Sequence, residues 1–345
     1  MRTDRNKSSW ADAPVPVVGV TGPDDGLRSA WAGALARATA GVLLTADRFH
    51  ADVDALPRTA RLLAHVPAPA PTLVVVEVGA EHSMLDVIGE CTDPQTGVRL
   101  MAAVLVADPD EAVARLDVGD ARSVALLDAV EACTHHALTP GSDAALAVLA
   151  ALQPTAVRVE GLPHLLGGPG TPLGLDGAER ILGPLTELGA ERDEAGWVRV
   201  LNDEWQPPAP LTGAACRPGH VTVFRHERTR PLHSRRWEAL AHRWGGRVSE
   251  GVGLRVAGLC RIGTHPAATL RWDQAGRHLG LHVLAEDSLE VEPLAEGEPV
   301  PEPLCLGHDL AVFAWGEGWD EAAMRAELDA AAVTDEEFLA GPDAW

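Results

Sequence analysis

The sequence predicts an α/β protein in two parts, a parallel sheet with helices on both faces followed by a small α+β domain. Three observations carry that expectation. Over residues 14–160, short apolar runs alternate with helix-patterned segments, the order of parallel strands joined by helical crossovers. Residues 161–219 break the pattern with Gly-Gly-Pro-Gly at 167–170 and Pro-Pro-Ala-Pro at 207–210, punctuation that continues no regular element. Over 220–345, strands come first and helices last, which suits a small segregated α+β domain.

Each element has a local reason. Val15-Pro-Val-Val-Gly-Val20 reads as a buried strand, and a turn over 21–26 leads to a helix over 29–40 that carries Trp31 and Leu35 at helical spacing. Residues 41–45 form a second strand. Leu73-Val-Val-Val-Glu-Val78 is the strongest strand of the chain, β-branched, entered from the Pro/Ala-rich stretch 67–71 and closed by Gly79. Val104-Leu-Val-Ala-Asp108 is another strand and ends in an acid. An amphipathic helix over 142–152 stops before Pro154, and 156–159 gives a last strand. The connector 161–219 holds one helix over 177–188 and a strand over 197–201. In the second domain, strands at 221–224, 254–262, 268–272, 278–284 and 310–315 surround a helix at 233–244 and a Glu/Pro-rich loop at 286–303. Asp320 caps a helix over 321–332. Thr334 and Glu337 form a capping box for a short final helix stopped by Gly341-Pro342. Residues 1–13 are a polar tail.

Hydrophobic residues make up 46% of the 345 and charged residues 23%, a balance that can fill two cores. The net charge of −22 argues against nucleic acid and against an anionic membrane surface as partners, because both are gripped by clustered Lys and Arg. One stretch runs the other way, with twelve arginines against four acids from Arg217 to Arg277. It is read as a solvated surface facing an acidic partner or the chain's own acidic segments. The tail has no apolar leader, and no apolar run approaches the roughly 18 residues of a membrane span. Cys91, Cys133, Cys216, Cys260 and Cys305 are scattered without a CxC or CxxC pair, which suits free thiols in a reducing compartment. The chain is expected to be cytoplasmic.

The second domain carries a family resemblance. Phe224-Arg-His-Glu-Arg-Thr-Arg-Pro-Leu-His-Ser-Arg-Arg-Trp237 resembles the opening of the CobW C-terminal domain, with Arg230, Pro231 and His233 in the matching positions. Residues 251–258 resemble its next strand, with Arg255 retained. Leu270-Arg-Trp-Asp-Gln-Ala-Gly276 is similar to the family's W-x-Q-A-G, matching Trp272, Gln274 and Gly276. The terminus, with Leu328-Asp-Ala followed by Thr334, Asp335, Glu336 and Glu337, is similar to the family's L-D-A followed by T-D-E-E. That resemblance implies a Rossmann-like P-loop GTPase domain over 14–160 with a CxCC metal motif. It also implies delivery of zinc, cobalt or a related metal to client proteins.

The chemistry of such a GTPase is missing. A P-loop sets backbone N–H groups around the phosphates, a Lys on the β/γ oxygens and a Ser/Thr on Mg²⁺. Here the loop reads Gly19-Val-Thr-Gly-Pro-Asp-Asp-Gly-Leu-Arg-Ser29, with Asp24 and Asp25 where Gly and Lys belong. The chain's one lysine is Lys7, in the tail. A carboxylate in place of an ammonium reverses a Coulomb interaction of about 4 kcal/mol at roughly 4 Å and an effective dielectric of about 20. Asp24 or Asp25 is instead expected to cap the following helix, and Arg28 is the one candidate surrogate for the lysine. Guanine recognition by Asn-Lys-x-Asp is absent too: Asn6-Lys7 lies in the tail, and the region expected for it, 134–140, reads Thr-His-His-Ala-Leu-Thr-Pro. Glu77 with Gly79 resembles the family's E-x-x-G at a shorter spacing, and Asp108 resembles its next strand-ending acid. Gly19, Gly22, Gly26, Arg28, Ser29, Glu77 and Asp108 thus form a degenerate nucleotide site in which Glu77 and Asp108 remain as scaffold acids.

No residue is assigned a catalytic role, and GTP with Mg²⁺ is not expected to bind. For zinc the candidate pair is Cys133 and His136, read as sharing one helical face. His278 and His282 are expected on one face of a strand as surface or packing residues, and Cys91 as a buried small hydrophobe. Three functions fit. One is a nucleotide-inactive CobW-like protein acting on a protein partner, either a metal client or an active relative, with self-association open. Another is an unorthodox GTP-hydrolysing metal chaperone using Arg28. The third is a binding module that holds an anion or an acidic protein on its arginines.

Overall fold

The computed structural model describes residues 14–52, 54–64, 73–93, 95–159, 181–182, 195–206, 221–248, 252–286 and 305–342. The tail, the Asn6-Lys7 pair, Cys216, the Pro/Ala-rich stretch 67–71, most of the connector and the Glu/Pro-rich loop beyond Glu286 lie outside these. Of the helix expected over 177–188, Ile181 and Leu182 are described, and both are helical. The chain packs as two units, one of Met1–Asp108, Asp128–Pro140 and Thr155–Asp193, the other of Pro109–Leu127, Gly141–Pro154 and Glu194–Trp345.

In the first unit, β1 (Val15–Thr21), β2 (Val42–Leu44), β3 (Val74–Glu77), β4 (Val98–Ala107), β5 (His135–Leu138) and β6 (Val157–Val159) form a six-stranded sheet. Its order is β2-β3-β1-β4-β5-β6 and every pairing is parallel. Among the described residues, its helices include α1 (Asp25–Thr39), α2 (Ala46–Ala51), α3 (Ala55–Ala64) and α4 (Met84–Thr92). Strand periodicity decides which helix covers which face. Val18 and Val20 pack against Trp31 and Leu35 of α1. Gly19, between them, faces the other way, where a Cβ would come within 2.7 Å of the Met84 sulfur of α4. The two helices therefore lie on opposite faces, as the sequence predicts. Helix α1 begins at Asp25, earlier than the expected 29, because the Asp24 carboxylate accepts the Leu27 N–H at 2.6 Å and caps the first turn.

The second unit includes α5 (Pro109–Leu116) and α7 (Asp143–Leu152), which pack together, while α6 (Ala121–Ala132) is shared between the units. Its sheet is built from β7 (Val221–Arg228), β8 (Gly253–Ile262), β9 (His265–Ala275), β10 (His278–Glu286) and β11 (His308–Trp315). The order is β10-β9-β8-β11-β7, antiparallel throughout. Three helices complete the C-terminal part: α9 (Ser234–Arg247), α10 (Glu321–Ala331) and α11 (Asp335–Ala340), numbered after the short α8 (Gly196–Leu201). One face of the sheet carries Phe224, Val256, Leu270, Trp272, Leu310 and Val312 against Leu240 and Trp244 of α9 and Met324 and Leu328 of α10. Asp320 caps α10, and Thr334 with Glu337 makes the capping box of α11.

Helix α8 corrects the strand expected over 197–201. The alternation Trp-Val-Arg-Val satisfies a strand period, but these residues pack against β7, β8, β11 and α7. Tertiary burial outweighs local pattern there. A side chain at Gly196 would collide with the Ala151 carbonyl, and Trp197 lies beneath the Arg271 guanidinium at 5.1 Å.

Among the described residues, several arginines of the stretch pair with the chain's own acids. Arg225 holds Asp309 at 2.7 Å and Asp203 at 2.8 Å; Arg228 pairs with Asp329, Arg247 with Glu327, and Arg255 and Arg271 with Asp273. Arg261 and Arg277 donate to the backbone carbonyls of Cys305 and Val248.

Candidate functional site

In an open parallel sheet, a ligand crevice forms where strand order reverses, beyond the carboxyl ends of the strands. Here the reversal centres on β1, so the crevice is framed by the β1–α1 turn and the end of β3. Gly22 closes the turn because its backbone runs against Val106 of β4, where a Cβ would clash with the Val106 carbonyl. Gly26 lies in the first turn of α1.

Arg28, one turn into α1, points back into this crevice and is buried there. Its Nη1 donates to the Gly22 carbonyl at 3.0 Å and lies 2.7 Å from the Asp25 carboxylate, and its Nε donates to Glu77 at 3.2 Å. The Ser29 hydroxyl donates to the same Glu77 oxygen. Glu77 is itself buried at the end of β3, so the two buried charges neutralise one another. Just beyond, the Gly79 N–H donates to His50 Nε2 at 3.2 Å, and the imidazoles of His50 and His82 stack 3.3 Å apart. Burial, and then His82, push the His50 imidazole below its ordinary range, against the weaker opposing pull of Asp86 and Asp47. His50 thus serves as a neutral acceptor. Asp108, after β4, accepts from the Thr139 hydroxyl at 3.0 Å.

The structure therefore gathers Gly22, Arg28, Ser29 and Glu77 but turns Gly19 into helix packing. Chemically, the arrangement is a closed set of donors and acceptors. The cation, the hydroxyl and the Gly79 N–H that could meet phosphate oxygens are each already bonded to a group of the chain. Sequence reasoning missed His50 and His82, which lie in α2 and just before α4 with no spacing signal to join them.

The expected helical face joining Cys133 and His136 does not exist. Cys133 closes the last turn of α6, with its N–H on the Ala129 carbonyl, whereas His136 lies in β5. A chain that leaves a helix for a strand between them loses the i, i+3 relation. Both are buried: burial raises the Cys133 thiol far above its ordinary range and lowers His136 to about 4. A thiol held protonated is a poor metal ligand, and His136 Nε2 faces the Val130 carbonyl at 3.3 Å. Among the described residues, no group of three or more His, Cys, Asp or Glu could hold a metal ion. Cys91 is half-buried rather than buried, its thiol pushed up to about 12 by burial. His278 and His282 share a face of β10 and are exposed. No helix among the described residues is long and apolar enough to cross a membrane.

The signature residues of the second unit build its fold. Arg230 reaches Asp335 at 2.8 Å and covers the Phe338 ring at 4.0 Å, the Pro231 carbonyl takes the Val333 N–H, and Arg236 pairs with Glu337 at 2.6 Å. Glu336 is exposed in the first turn of α11. His233 caps α9, accepting the Arg235 N–H at 3.2 Å. Arg255 is buried on Asp273; Trp272 donates to Gln274, which donates to the Gly276 carbonyl in a turn with φ +55°.

No protein-family model matches the chain, and no curated protein matches it. Among solved structures it is similar to the crystal structure of Zn(II)-bound YjiA GTPase from E. coli, at 11% identity over 93% of this chain and 99% of that one, with a TM-score of 0.36. A Zn(II)-bound triple mutant of YjiA GTPase matches at 11% identity over the same shares of the two chains, with a TM-score of 0.35.

Proposed function

We propose that this chain is a nucleotide-silent CobW-like protein that acts in the homeostasis of a metal such as zinc or cobalt through contacts with a protein partner. The partner is a metal client, an active relative or a second copy. The observation that carries the reading is the seat of Arg28. In a loop without lysine it is, among the described residues, the one cation in place to meet a triphosphate, and it is bonded instead to the Gly22 carbonyl, Asp25 and Glu77. Freeing it would leave Glu77 charged and buried, a cost of several kcal/mol. The motif resemblance of the second unit supplies the metal-homeostasis half of the reading. The pairing of Arg225, Arg228, Arg247, Arg255 and Arg271 with internal acids weighs against an anion-binding module built on those residues.

The test is to purify the chain without chelator, then to extract nucleotide and measure metal content on the same sample, alongside a GTP hydrolysis assay. No co-purified guanine nucleotide and no turnover above a heat-killed blank are expected. Stoichiometric bound GTP, or turnover lost in Arg28→Ala, would overturn the reading.

A further inference from the structure

The sheet of the second unit ends on a strand that is open to solvent. Among the described residues β10 is an edge strand, bonded to β9 on one side and to no strand on the other. Its register sets Leu279 opposite Gln274, Leu281 opposite Trp272 and Val283 opposite Leu270. Residues paired across strands share a face, and Trp272 and Leu270 belong to the core, so this apolar row lies on the core face. Its members are nonetheless 37%, 38% and 55% exposed. Helix α9 stands beside the strand rather than over it, with Trp237, Ala241 and Leu279 lining an open groove between the two.

An open edge of this kind pairs with a strand that meets it unless charge, proline or a bulge guards it. From His278 to Ala285 there is no Lys, Arg, Asp, Glu or Pro, and the bulge at Leu284 comes after the apolar row. The direction of the backbone groups follows from the turn. Gly276, at φ +55°, and Arg277 form a two-residue hairpin loop closed by Ala275 and His278. That closing pair exchanges both of its hydrogen bonds, and bonded and non-bonded pairs then alternate along the strands. Gly280 and His282 therefore bond to β9, while the N–H and C=O groups of Leu279, Leu281 and Val283 point to the free edge.

We propose that β10 is a self-association edge, on which a second copy of this chain adds its own β10 antiparallel about a two-fold axis at Leu281. In that register Leu281 faces the partner's Leu281 and Leu279 faces the partner's Val283, so every outward N–H and C=O of the row is matched. The same register sets Gly280, which has no side chain, opposite the imidazole of the partner's His282 on the other face. Charge selects a second copy over an unrelated strand. The strand is free of charged residues between a cationic turn at Arg277 and an acidic end at Glu286, both exposed. Antiparallel pairing lays each copy's Arg277 beside the partner's Glu286, once at each end by symmetry. The pairing uses neither nucleotide nor metal. It gives the second copy named among the partners above a surface, and it stands or falls apart from the closed crevice.

The test is sedimentation equilibrium of the full chain with chelator and without nucleotide. A single strand edge buries less than the roughly 800 Å² per partner of a standard interface, so a monomer–dimer equilibrium with a Kd on the order of 10 µM is expected. Leu281→Pro removes only an outward N–H, which an edge strand tolerates, and should leave the chain folded by circular dichroism and monomeric. Leu281→Lys sets two ammonium groups across the axis and should weaken the dimer by about tenfold or more; it carries the test if the proline variant does not fold. Arg277→Glu should weaken the dimer about fivefold, and adding Glu286→Arg should restore it. Amide exchange should slow with rising concentration at Leu279, Leu281 and Val283 and stay constant at Gly280 and His282. A chain still monomeric at about 200 µM, a dimer that forms only when metal is restored, or a dimer that folded Leu281 variants leave undisturbed would overturn the proposal.

Discussion

Arg28 of the first unit and Arg225 of the second each hold more than one carboxylate, yet they do so in different solvents. The side chains of Arg28 and Glu77 are 5% and 6% exposed, those of Arg225 and Asp309 25% and 24%. A pair shut away from water is costly to break, because the survivor is left as a bare buried charge. A pair at the surface returns to water and loses little. The same residue types therefore build a fixed plug in the crevice of one unit and an adjustable ion pair nearer the solvent in the other.

The largest expected effect breaks the plug. Arg28→Ala should cost about 3–5 kcal/mol in urea unfolding, and Arg28→Met with Glu77→Leu should recover most of it. Equal losses in the single and double variants would contradict a paired buried charge. Next comes acid. His136, buried in the first unit with its folded value lowered to about 4, is neutral in the fold and charged in the unfolded chain below about 6.5. Stability should fall with pH across that window by up to about 3 kcal/mol, and His136→Leu should flatten that limb of the curve. Gly22→Ala sharpens the comparison by pushing the loop off β4, at about 1–3 kcal/mol, read as a lower thermal midpoint. In the second unit, Thr334→Ala should remove one cap of α11 for about 1 kcal/mol. The smallest effect belongs to Arg230→Ala, which loses an exposed ion pair and a ring contact and should cost about 1 kcal/mol or less, fading in high salt.

Much of the architecture was legible because its signals are local. The β-branched run before Gly79, the Asp24 and Asp320 caps and the Thr334–Glu337 box are each written within a few residues. Helix α8 misled because a half-buried helix of six residues can carry a strand-like alternation by accident of what it packs against. The degenerate loop was also legible, since the absence of a lysine is a fact of sequence. What fills the loop was not. Arg28 and Glu77 stand 49 residues apart and His226 and Asp329 103 apart, so their pairing is fixed by the sheet topology and leaves no mark in spacing. Cys133 and His136 failed in the opposite way, as near neighbours that a helix end separates.

The most direct measurement is equilibrium titration of the wild-type chain with a fluorescent GTP analogue in the presence of Mg²⁺. With the crevice closed by Arg28 and Glu77, no saturable binding is expected up to about 1 mM, a ceiling near −4 kcal/mol. Saturable, Mg²⁺-dependent binding in the micromolar range, competed by unlabelled GTP, would contradict it.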